Sequence, residues 1–215
     1  MANLTSVKSR TFGSVDATDA DGLSTAATIG SATTLTLNGA LIASGSYTTG
    51  TNIGQIITIL SAADETGVTF TIVGTDANGD AQTEVVTGVN AGTASSTGYF
   101  QTVASITTSG ATTGNVSAGV LGATTATAGE MGTGTVFAGR TRIRGLQGVS
   151  AATAANLDFK NTSVTGTTLL SIPTSTSTTE LIEPYIPDNG ILFKAGAYVS
   201  FPAGGAASVT VFYDG

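Results

Sequence analysis

Across 215 residues the chain has no histidine, cysteine or tryptophan, and it has 29 glycines, 10% charged residues and a net charge of −7 from 14 acidic against 7 basic side chains. Without imidazole or thiol, Ser-His-Asp and Cys-His nucleophile systems, zinc sites built on those ligands and disulfide bonds are all excluded. The acidic balance repels a phosphate backbone over most of the surface, and no apolar stretch reaches the length of a membrane span, so neither nucleic acid nor a bilayer is an expected partner.

Hydrophobic residues make up 40% of the chain, enough for a packed core. No window places apolar residues at helical spacing, while β-branched Thr, Val and Ile recur throughout, which predicts an all-β protein. Within residues 1–28, Leu4, Val7, Phe12, Val15 and Leu23 stand isolated in polar sequence. That pattern predicts an extended N-terminal arm, made orderly by another chain that receives Leu4, Val7 and Phe12. MANLTSVKSR lacks the apolar core of a signal peptide, so synthesis as a soluble cytosolic chain is expected.

A first β domain is expected over 29–122. Its strands are read at Thr34–Asn38, Gln55–Leu60, 68–72, 82–87, Tyr99–Thr108 and Asn115–Val120. In 68–72, Val68, Phe70 and Ile72 share one face and Thr69 and Thr71 the other. Asn78-Gly79 between two extended runs predicts a hairpin tip. Residues 123–135 are nearly devoid of bulky side chains and read as a linker. A second β-sandwich or jelly-roll-like domain then spans 136–215, with strands at 140–146, 156–160 and 167–172. Next comes a run from Ile191 to Phe201 interrupted at Ala195-Gly196, and a last strand at Ser208–Tyr213.

Two stretches carry the resemblance to a known family. The string GQIITILSAADETGVTFTIVGTDANGDAQTEVVTGVNAG, with STGYFQTVASITTSGATTGNVSAGV after it, resembles a module of tailed-bacteriophage structural proteins. The closing PDNGILFKAGAYVSFPAGGAASVTVFYDG is similar to the ends of small β-rich proteins encoded by such phages. The resemblance implies a virion component without enzymatic activity or cofactor, such as a capsid decoration or cement protein, a head fibre or a tail-associated protein. It also implies a place on the capsid surface, with the major capsid protein and copies of the chain itself, often a trimer, as partners.

Arg140-Thr141-Arg142-Ile143-Arg144 is the sharpest local motif. On a strand its three arginines project from one face, suited to bidentate pairing with carboxylates of a shell or neighbouring subunit, or to guarding an edge strand against aggregation. Asp16, Asp19 and Asp21, and again Asp76, Asn78, Asp80 and Glu84, offer oxygen ligands at alternate positions. Neither series completes a twelve-residue calcium loop, and hairpin chemistry explains the second, so no metal is assigned. Asp64-Glu65 and Glu180 with Glu183 are the carboxylate pairs a glycosidase would need; Asp64-Glu65 reads as a solvent-facing turn, and no catalytic residue is assigned. Taken with the resemblance, the reading is a capsid-coating protein, with a tail, neck or head-fibre part, or a glycan-binding attachment domain, as the alternatives.

Overall fold

The computed structural model describes residues 7–13, 16–49, 52–122, 133–151, 154–163, 165–177, 179–200 and 206–215. Every regular element among them is a strand, as the β-branched composition requires. In chain order these are β1 (Lys8–Gly13), β2 (Asp19–Thr28), β3 (Ile42–Ala43), β4 (Ser46–Thr48), β5 (Gln55–Asp64) and β6 (Thr69–Thr75). Then follow β7 (Ala81–Thr87), β8 (Asn90–Phe100), β9 (Thr102–Thr108), β10 (Asn115–Leu121), β11 (Thr133–Phe137) and β12 (Thr141–Ser150). The last six are β13 (Asn156–Asn161), β14 (Thr168–Pro173), β15 (Leu181–Ile182), β16 (Ile191–Phe193), β17 (Ala197–Ser200) and β18 (Ala206–Asp214).

The strands gather in two compact units, here named for their place in the sequence. The central unit holds Val15–Gly50 and Gly54–Thr125; the terminal unit holds Met1–Ser14, Thr51–Ile53 and Ala126–Gly215.

In the central unit one sheet runs β2-β10-β5-β8 and the other β3-β4-β9-β6-β7, all neighbours antiparallel. Alternation sends Ile57, Ile59, Val116 and Val120 from the first sheet and Phe70, Ile72 and Ile106 from the second into one buried cluster, the arrangement of a β-sandwich. The β6–β7 hairpin turns at Asn78-Gly79 as read from the sequence. Gly79 takes a left-handed φ of 87°, and the Asp76 carboxylate accepts from the Asn78 and Asp80 amides at 2.8 and 3.0 Å. Glu84 on β7 reaches across to the other sheet, where its carboxylate accepts from the backbone amides of Thr97 and Gly98 at 2.6 and 2.9 Å.

In the terminal unit β1-β18-β12-β15 form one sheet, with β16 also paired to β12, and β11-β17-β13-β14 form the other. Phe12, Ile143, Val211 and Phe159 are fully buried, and the Phe12 ring lies against Gly134 of β11. Gly196, at φ 117°, makes the break between β16 and β17 that the sequence marks.

Several expectations need correction. The described residues of the 1–28 arm are bound by their own chain. Residues 8–13 pair with 208–213 of β18, and 19–28 pair with β10, because Phe12 and Leu23 find buried positions that single apolar residues in a polar segment did not advertise. The boundaries 1–28, 29–122 and 136–215 therefore shift: residues 1–14 group with the last third of the chain and 15–28 with the middle. Thr34–Asn38 makes a single bridge, Thr34 to Thr107, in place of a strand. The Tyr99–Thr108 run is divided at Gln101 between β8 and β9. Of the expected linker, 123–132 lie outside the described residues, and 133–135 belong to β11.

Candidate functional site

The arginine row begins one residue before β12. Arg142 and Arg144 share the outward face by strand alternation, and Arg144 is the extra residue of a β-bulge: Ile143 pairs with Tyr213 and Gly145 with Phe212. The bulge also moves the inward face from Thr141 and Ile143 to Leu146 and Gly148. Arg142 donates from Nη1 to the Asn189 carbonyl at 2.8 Å, and Arg144 Nε lies 3.6 Å from Asp214 Oδ2. Each guanidinium carries five N–H donors, so both retain free ones. Arg140 is exposed.

Folding brings two more cations to this end of the sheet. One residue beyond the Thr141–Phe193 pair stands exposed Lys194 beside Arg140, and among the described residues neither has a hydrogen-bond or ion-pair partner. Lys8, at the start of β1, donates to the Gly215 carbonyl at 3.0 Å and sits 5.5 Å above the Phe137 ring. Five of the seven basic residues thus converge from positions 8, 140–144 and 194, with Asp214 among them. Like charges held side by side in this way favour an anionic partner. Sequence reasoning found the arginines and missed both lysines, which lie far away in the chain.

The remaining expected contacts divide. Phe12 is fully buried in its own unit and is removed from any surface offered to a partner; Val7 is 55% exposed; Leu4 lies outside the described residues.

No protein-family model matches this chain, and neither do curated proteins or solved structures. Its charge distribution is distinctive nonetheless. All seven basic residues fall in the terminal unit, against six acidic ones, for a net charge of +1. The central unit has eight acidic residues and no basic one, a net charge of −8.

The carboxylates considered for metal or acid-base chemistry are mostly engaged in holding backbone. Asp64 Oδ1 accepts from the Thr66 amide and hydroxyl, which lowers its pKa below the ordinary carboxylate value. Glu65, expected in a solvent-facing turn, is buried, because its Oε1 anchors the Thr113 and Gly114 amides at 2.7 and 2.8 Å. Asp16 meets the buried Tyr47 hydroxyl at 2.8 Å, beside Gln55 and Thr49. Glu180 and Glu183 do come together, on the rim of a groove of about 420 Å³ floored by Ile172, Pro173 and Ile182. Glu183 accepts from Gln147 Nε2 at 2.9 Å there.

Proposed function

We propose that this chain is a non-enzymatic structural protein of a tailed-bacteriophage virion, a capsid decoration or cement protein that binds and stabilises the shell. The observation that supports the reading is the five-cation sheet end, an adhesive surface on a net-acidic molecule. Such a surface works by burial and charge pairing repeated over many copies, so weak single contacts sum through symmetry. The phage-like sequence at 54–120 and 187–215 supports the same class. Tail, neck or head-fibre positions belong to that class too. The groove beside Glu180 and Glu183, with Tyr185 87% exposed next to it, favours a second reading as a glycan-binding attachment domain, since carboxylates accept from sugar hydroxyls and an exposed ring stacks on a sugar face.

Copy number per purified virus particle, measured by quantitative mass spectrometry against the major shell protein, tests the proposal. A stoichiometric ratio is the expected result. A few copies per particle would move the protein to the neck or tail, and absence from particles would overturn the virion reading.

A further inference from the structure

We propose that the basic sheet end of the terminal unit docks onto the central unit of a second copy of this chain, making a head-to-tail contact. The inference rests on the self-association contained in the virion reading and specifies which surfaces meet. Charge complementarity identifies the occupant. The cationic end offers Arg140, Lys194 and the free donors of Arg142 and Arg144, and the anionic surface that fits it is on the same molecule, in a unit without one Lys or Arg. The ladder Asp19–Val120, Leu121–Ile56 and Gln55–Phe100, continued by the Gln101 amide on the Thr75 carbonyl, brings one end of both central sheets together. That end carries Asp19 and Asp21 at the β2 edge and Asp76 and Asp80 at the β6–β7 hairpin on the opposite edge, with Asp21 and Asp80 exposed.

The terminal unit also offers an aromatic anchor for such a contact. Beside the basic end, the loop from Glu183 to Asn189 is tied to β12 at both ends, by Gln147 and by Arg142. This loop presents Tyr185, 87% exposed between Pro184 and Pro187, a rigid aromatic of the kind that anchors interfaces. Two basic ends repel each other, so the contact joins unlike surfaces. Repetition of such a contact closes a ring or extends a filament.

Sedimentation velocity of the full chain at rising salt is the test. Expected is self-association at low ionic strength that weakens as the screening length falls below about 8 Å. Arg140→Glu with Lys194→Glu should weaken it tenfold or more, Asp21→Lys with Asp80→Lys should do the same, and an equimolar mixture of the two variants should restore association. All four positions are exposed, and an unchanged circular-dichroism melt of each variant shows that folding is intact. A monomer at every salt concentration overturns the proposal. So does self-association indifferent to all four reversals, which would leave self-association itself standing. A salt-sensitive loss of melting temperature in a monomeric Arg140→Glu, Lys194→Glu variant would place the cations against the chain's own acids and overturn it too. Particle copy number is read independently of each of these outcomes.

Discussion

Tyr47 shows how one polar side chain can hold a segment in place. Its hydroxyl has a single proton to donate and two acceptors at 2.8 Å, Asp16 Oδ2 and Gln55 Oε1, while Gln55 Oε1 also accepts from Thr49 and its Nε2 donates to the Asp16 carbonyl. The network ties residue 16, where the chain enters the central unit, to β5. Burial pushes the Tyr47 hydroxyl far above the ordinary phenol value, and burial also raises Tyr99. A phenol with a raised folded pKa contributes stability that is complete below about pH 10 and is lost as pH climbs from there towards the folded value. Unfolding free energy should therefore fall with pH above about 10. Tyr47→Phe should flatten that slope, leaving the Tyr99 share, and cost about 1–2 kcal/mol at neutral pH through the orphaned acceptors. Denaturant titrations of both proteins at pH 7 and across the alkaline range measure both effects.

Among the elements, β1 has the clearest energetic role. It covers the edge of β18 and places Phe12 in the core, with exposed Lys8 and partly exposed Arg10 following on the same face by strand alternation, Arg10 over the Phe12 ring at 5.6 Å. Edge strands carrying charge resist pairing with other chains, so the strand that closes this sheet also guards it. Phe12→Ala should cost about 3–5 kcal/mol, seen as an earlier transition in urea, and should raise aggregation as β18 loses its cover. Little of this was legible in the sequence, because one Phe and one Leu in a polar segment give no period to read. Where both faces of a strand speak, the reading held: Phe70 and Ile72 alternate with Thr, and Asp76 to Asp80 name their own turn. The β8 segment NAGTASSTG went unread because Gly, Ala and Ser look like turn chemistry, although Ala94 and Ser96 are small enough to pack on the inner face. Arg140, Arg142 and Arg144 were legible as a row, since strand alternation fixes their direction. Lys8 and Lys194 were not, because only the ladder brings them alongside.

At the scale of the whole molecule the separation of charge outweighs its sum. A net charge of −7 suggests an anion that avoids anions, yet every cation sits in one unit and five cluster at one sheet end. The chain should be retained at pH 7 and low salt on a sulfonated resin, despite its net charge, and Arg140→Glu with Lys194→Glu should elute it in the void. Elution of both proteins together in the void would show that the local field is too weak to act. The pairing of β1 with β18 also sets an order of events during synthesis. Every strand of the central unit has been made once residue 121 has left the ribosome. The terminal unit opens with the first strand made and cannot finish its sheet until the last strand emerges, some two hundred residues afterwards. Until residues 208–213 have been made, residues 8–13 lack the strand they pair with, and the central unit can be native while the sheet of the terminal unit is still open.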